Sequence, residues 1–220
     1  YLSGNYYDDS PQGDIFFSRF DKDWGKPVRV AGVNTKYVEI QPYVFNDEVM
    51  FFTSNRPDGF GGLDLYVSEY INGAWSTPAN LGPAINTDGN EQSAFLDWDG
   101  ETLYFASDGH YGLGGFDIFR AKKVGKTWQE WTTSVNLGAV VNSVRDDRCF
   151  YRRYDSNEAY LSSNRYGGYG GEDIYSLDIS RIAGFIPESD AIIIFGKVTD
   201  VDENPLNAVF ELNYIIENEY

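Results

Sequence analysis

The residues of this 220-residue chain that could do chemistry come in copies. Asp64, Asp117 and Asp173 each close a glycine-rich loop, in GFGGLD, GLGGFD and GGYGGED. Three chemistries suit such loops. A phosphate cradle needs backbone amides converging at a strand-to-helix junction, commonly with a lysine. These loops instead run between strand-like segments and end in a carboxylate, which repels phosphate. A calcium site needs about six to eight oxygens, and calcium-binding G-G-x-G-x-D repeats stack in short steps, whereas these aspartates return only every fifty residues or more. The third chemistry is internal: the carboxylate accepts hydrogen bonds from amides of its own loop, and the glycines supply the backbone freedom of the turn. The sequence favours this third reading, with a structural calcium as the alternative and no cofactor otherwise expected.

The remaining reactive residues are few. His110 is the only histidine and Cys149 the only cysteine, so a zinc site of His and Cys ligands is excluded by count. His110 stands where the other copies carry Pro57 or Tyr166, which predicts a surface loop. Cys149 falls in a predicted strand, where a free thiol is expected to be buried and inert. There is no nucleophile elbow, and neither a catalytic residue nor a metal ligand is assigned. Paired carboxylates stay open, because their separation in space is unreadable among 34 acidic residues. Arg56 and Arg165 follow the loop asparagine in two copies and could reach carboxylates across repeats.

What must position these residues is the repeat itself. Related blocks occupy 54–66, 107–119 and 163–175, with a worn copy at 4–16. In each, an Asn or Asp precedes the aspartate by nine residues: Asn5 and Asp14, Asn55 and Asp64, Asp108 and Asp117, Asn164 and Asp173. Successive aspartates are 50, 53 and 56 residues apart. Trp24, Trp75 and Trp128 follow by ten or eleven, then Asn-Leu-Gly at 80–82 and 136–138. Asn34-Thr35, Asn86-Thr87 and Asn142-Ser143 come next, with an acid five residues after each asparagine: Glu39, Glu91, Asp147. A period near fifty means one supersecondary unit stacked on copies of itself.

Each unit holds four strand-like runs. In one they are 92–98, a turn at Asp99-Gly100, 102–107, 116–121, and a Trp-bearing run from 127 toward 136. The runs are rich in Tyr, Phe, Trp, Val and Ile, turn residues bound them, and no stretch carries a helical period. The expected fold is all-β, a β-propeller of four-stranded blades, incomplete in this chain. The repeating tryptophans are expected to be buried on the fourth strands. Trp98 and Trp131 do not repeat, and are the better candidates for an exposed contact.

The hairpin, the LYFASD run, the glycine-rich loop and the GGFDIF element together resemble the WD40-like repeat of TolB-type β-propellers over about residues 1–180. The Asn-Leu-Gly and Ile-Asn-Thr additions resemble the form common in OmpA-family envelope proteins of Bacteroidota. Residues 181–190 read as a linker, and 191–220 resemble the opening of a carboxypeptidase-regulatory-like β-sandwich, too short to form a core of its own. The resemblance implies a location in the periplasm or at the outer membrane and partners among envelope proteins, in a secretion or gliding assembly or a cell-wall anchor. Peptidoglycan would be reached only through a domain outside these residues. A strand from sequence preceding Tyr1 is expected to close the ring.

Composition bounds the rest. A formal charge of −17 and a pI near 4.3 disfavour nucleic acid and anionic lipid. The longest apolar run, 191–195, is far too short to span a bilayer. The expected function is a non-enzymatic protein-interaction scaffold. The rival is a glycan-acting propeller hydrolase or lyase, or a glycan-binding module, which the 17% aromatic content invites.

Overall fold

A computed structural model describes residues 1–4, 13–154 and 156–179. The expectations for Asn5, the 181–190 linker and the 191–220 sandwich lie outside them. The described residues form antiparallel sheets joined by turns, with no helix among them. No helix of these residues is therefore long and apolar enough to cross a membrane.

The sheets repeat. The first runs in the order Leu2–Gly4, Asp14–Phe17, Val28–Arg29. The second runs Glu39–Phe45, Val49–Ser54, Asp64–Ile71, Ala79–Asn80, and the third Glu91–Leu96, Thr102–Ser107, Asp117–Lys122, Val135–Asn136. The fourth contains Asp147–Arg152, Glu158–Ser163 and Asp173–Asp178.

The middle sheets are covered on both faces, which explains why their strands read as continuous apolar runs rather than alternating ones. In Val49–Ser54 every residue is buried. Met50 and Phe52 cluster with Tyr66, with Ile15 of the first sheet and with Val30 and Val33 of the connection that follows it. Val49 and Phe51 cluster with Leu65 and Val67 and with Leu96, Leu103 and Phe105 of the third. Each such side chain removed from water contributes about 1.5–3 kcal/mol. The core is thus the sum of sheet-to-sheet contacts and continues from one repeat to the next.

The leading strands of the second, third and fourth sheets each carry a β-bulge. Pairing shifts between Ile40 and Tyr43, Gln92 and Phe95, and Arg148 and Tyr151. Inside each shift lies a residue in the left-handed region: Gln41 at φ 52°, Ser93 at 57° and Cys149 at 54°. A bulge re-aims the side chain of its extra residue. Cys149 is exposed, not buried as its strand position predicted, whereas Ser93 at the equivalent bulge of the third sheet is buried; the fourth sheet has no later sheet against it among the described residues. The bulges meet in a row: Gln41 Oε1 accepts from Ser93 N at 3.0 Å, and Ser93 Oγ lies 3.4 Å from Cys149 Sγ. Gln41 N donates to Ser3 Oγ at 3.2 Å. The leading strands therefore lie side by side along one edge of the stacked sheets.

The tryptophans depart from expectation. The outer strand of the second and third sheets is the two-residue segment carrying the asparagine of Asn-Leu-Gly, Ala79–Asn80 and Val135–Asn136. Trp75 sits on a short return that pairs with the end of the third strand, and Trp128 in a turn. Both are half-buried: Trp75 lies against Tyr70, and Trp128 edge-on to Phe51 of the preceding sheet at 5.2 Å. Trp24 is 69% exposed, on a hairpin of Phe20–Asp21 with Asp23–Trp24 that joins no larger sheet. Trp131, expected outside, is 7% exposed and belongs to the core between the second and third sheets. Its Nε1 donates to Trp128 O at 2.6 Å, which satisfies the indole on burial.

Candidate functional site

The repeat landmarks converge at one end of the sheets, where the second strand crosses to the third. Asp64 accepts hydrogen bonds from Phe60 N at 2.5 Å and Gly61 N at 3.1 Å. Asp117 accepts from Leu113 N and from Gly114 N at 3.2 Å, and Asp173 from Tyr169 N at 2.8 Å and Gly170 N at 3.2 Å. Asn80 and Asn136 donate their side-chain amides to Asp64 and Asp117, both at 2.8 Å. A carboxylate ringed by N–H donors has the surroundings an anion wants, not those of a calcium ligand. Among the described residues no group of three or more His, Cys, Asp or Glu side chains converges as a metal site needs. Burial holds the Asp117 carboxyl above the usual carboxylate range, with the amide bonds opposing. In the worn copy, Asp14 pairs with Arg29 Nε at 2.8 Å.

The neighbouring landmarks form two further devices whose roles the sequence did not reveal. Asn34, Asn86 and Asn142 each clasp both backbone groups of the residue after the aspartate. Their Oδ1 atoms accept from Ile15, Leu65 and Ile118 N, and their Nδ2 atoms donate to the same residues' carbonyls, all within 2.7–3.0 Å. Asn55, Asp108 and Asn164 accept from the backbone N–H just before the buried acid of their own sheet, at Val38, Asn90 and Asp146.

The acids Glu39, Glu91 and Asp147 are fully buried. Arg56 Nη2 donates to Glu39 and to Val33 O, both at 3.1 Å, and Arg165 Nη2 to Asp147 at 2.6 Å and Val141 O at 2.7 Å. Each arginine thus ties the leading strand of its own sheet to the preceding connection; the carboxylate it meets belongs to its own sheet and not, as expected, to a neighbouring repeat. In the third sheet His110 takes the arginine's place. Its Nε2 lies 2.8 Å from Ile85 O, the counterpart of Val33 O and Val141 O, and its ring packs on Phe105 and Phe119. His110 is therefore an inward-packed member of the fold, not a free loop tip. Among the described residues the donors to Glu91 beside it are neutral: Thr87 N, Thr87 Oγ1 and Ser107 Oγ. Burial pushes its carboxyl above the usual range.

At the opposite end lie the hairpins joining the first and second strands, and here the repeat stops being kept. Tyr43, Phe95 and Tyr151, each four residues after a buried acid, form a ladder across three sheets. Tyr43 meets Phe95 at 5.3 Å and Phe95 meets Tyr151 at 5.1 Å. Burial pushes the Tyr43 phenol up to about 12, and its hydroxyl donates to Leu96 O at 2.9 Å. Three residues further on, at the hairpin turns, stand Asn46, Trp98 and Tyr154. Trp98 is 41% exposed and Tyr154 75%; their rings meet at 5.6 Å and 77°. Trp98 also meets Tyr151, itself 41% exposed, at 85°.

The corner is held. Trp98 Nε1 donates to Arg152 O at 3.0 Å, and Arg152 Nη1 donates to the buried Asp97 at 2.7 Å. The sequence singled out Trp98 but missed Tyr154. Its signal was position, since both residues lie seven after the buried acid of their units. This corner is the candidate recognition site: exposed, aromatic and braced.

No family model matches the chain, and no curated protein does. Among solved structures it is similar to the crystal structure of an alpha-L-arabinofuranosidase from Lactobacillus brevis, with a TM-score of 0.47 and 9% sequence identity. The likeness covers 75% of this chain and 62% of that one, so the chain spans less than two thirds of that enzyme's length.

Proposed function

We propose that the stacked sheets are blades of a TolB-type β-propeller, and that the chain serves as a non-enzymatic protein-interaction scaffold in a Gram-negative envelope, in the periplasm or at the outer membrane. The observation that carries this reading is the row of bulged leading strands, in which Ser3, Gln41, Ser93 and Cys149 meet in sequence along one edge of the stacked sheets. Sheets stacked face to face with their first strands together are what successive blades require. A glycan hydrolase would need a pair of carboxylates there, and none of these four residues is one. The envelope location and the OmpA-family relationship rest on the resemblance of the repeats.

Co-purification from native membranes at low and high salt, beside a glycan-hydrolysis panel, tests the reading. With 34 acidic against 17 basic residues, the scaffold should take partners with basic patches and release them as salt rises. Recovery of defined envelope or secretion subunits, with no turnover, supports it. Turnover that disappears when carboxylates are changed to amides overturns it.

A further inference from the structure

We infer that the aromatic corner formed by Trp98, Tyr151 and Tyr154 is a binding site for a neutral saccharide. The inference stands apart from the scaffold reading and goes beyond it. It rests first on shape. The three rings do not lie flat as one patch. Trp98 stands at 77° to Tyr154 and 85° to Tyr151, so the rings present faces in different directions. A pyranose presents an apolar C–H face and a rim of hydroxyls. One ring can carry the face while the other meets the edge, as amphipathic aromatic side chains allow.

Size is the second argument. At about 150–250 Å² per aromatic side chain, the exposures of 41%, 41% and 75% leave roughly 300 Å² open. A standard protein interface needs about 800 Å² on each partner. One or two sugar rings fill the corner; a protein would have to find most of its area elsewhere.

The third argument is polar chemistry at the rim. Among the described residues the Tyr151 and Tyr154 hydroxyls make no hydrogen bond within the protein, while the Arg152 guanidinium, 36% exposed, bonds to Asp97 through Nη1. Phenols and a guanidinium beside ring faces suit hydroxyl-rich ligands. The corner is also fixed before any ligand arrives, by the Trp98 indole bond to Arg152 O and the Arg152–Asp97 pair. Preorganisation of this kind lowers the ordering cost of binding. The net charge of −17 disfavours acidic sugars and favours neutral ones.

The test is titration of the full chain with cellohexaose and chitohexaose, followed by ligand-observed NMR and tryptophan fluorescence. Affinity for one or two rings should be on the order of 1 mM. Trp98→Ala and Tyr154→Ala should each weaken binding about tenfold, while Trp98→Phe retains most of it. Trp24→Ala, at an exposed tryptophan of the first repeat, should leave it unchanged. Tyr154 is the more exposed residue, so its variant stays informative if Trp98→Ala fails to fold. Binding that survives both alanine variants overturns the proposal. So does the lack of binding to either oligosaccharide, which would return the corner to a protein partner. Neither result bears on whether the sheets are propeller blades.

Discussion

At the glycine-loop end the same devices recur from repeat to repeat: a carboxylate on two loop amides and an asparagine on both backbone groups of a strand residue, three times each, and a buried acid that meets an arginine in two copies and neutral donors in the third. At the hairpin end the same three sheets carry Asn46, Trp98 and Tyr154 at one equivalent position. The difference follows from what each end must do. Where the chain leaves the sheet core, buried amides and carbonyls need partners, and few side chains of the right length supply them. That end is kept the same because it is an answer to backbone chemistry. A short hairpin tip in water has no such debt, so its side chains are free to differ and to meet something else.

The largest effect should come from breaking a buried ion pair at the glycine-loop end. The Arg56 side chain is 9% exposed and that of Glu39 fully buried. Arg56→Met leaves the carboxylate with Thr35 N, Thr35 Oγ1 and Ser54 Oγ but no cation. Removing one partner of such a pair typically costs about 3–5 kcal/mol. Denaturant unfolding measures it. A loss below about 1 kcal/mol would mean that the devices at this end are not what holds the sheets in register.

Backbone proximity gives a second, smaller test. A Cβ at Gly61 would lie 2.4 Å from Gly89 O and 2.5 Å from Thr87 O, and one at Gly114 would meet Arg145 and Ser143 carbonyls in the same way. These glycines let successive repeats touch backbone to backbone. Gly61→Ala should destabilise by about 1–3 kcal/mol through forced shifts. Gly171, whose added Cβ meets nothing within 4 Å, should accept alanine within about 0.5 kcal/mol. Equal losses at both positions would contradict the packing described for the loops.

Sequence and structure agree most where one residue type has one job. The aspartates, the Asp99-Gly100 turn and the run Thr102–Ser107 were legible because turn carboxylates, positive φ and apolar strands each leave a local mark. The tryptophans were not. Their spacing is regular, yet the burial of Trp131 and the exposure of Trp24 depend on whether a neighbouring sheet lies over them, which spacing does not record. Cys149 was misplaced because its exposure depends on whether a further sheet lies against it, as one does at the equivalent buried Ser93, and the bulge itself has no distinctive residue: Gln, Ser and Cys fill it in turn. The corner of Trp98 and Tyr154 joins residues 56 apart in different repeats, and only the pairing of equivalent positions could have linked them.

His110 and Glu91 make a third test, because they break the rule of the conserved end. Burial raises the Glu91 carboxyl, with bonds from Ser107 and Thr87 opposing. A group held above its unfolded value contributes stability that is full below the unfolded pKa and is lost as pH rises through the folded one. Stability relative to Glu91→Gln should therefore fall as pH climbs from about 4 toward neutrality. Melting temperatures of the two proteins across that range decide it. A constant difference would mean that Glu91 is not stressed by its lack of an arginine.

The smallest expected change belongs to the hairpin end, and it completes the comparison. Tyr154→Ala removes a ring that is 75% exposed and touches mainly Trp98. An exposed aromatic pair is worth about 0.5–1.5 kcal/mol beyond its area, but with so little of the ring covered, stability should move by about 0.5 kcal/mol or less. The same substitution should cost about tenfold in saccharide affinity, equivalent to about 1.4 kcal/mol. A residue that matters more to binding than to folding is the signature expected of a recognition surface. If unfolding shows instead a loss near that of Gly61→Ala, the corner is part of the fold's own packing, and the two ends differ only in which side chains do the same work.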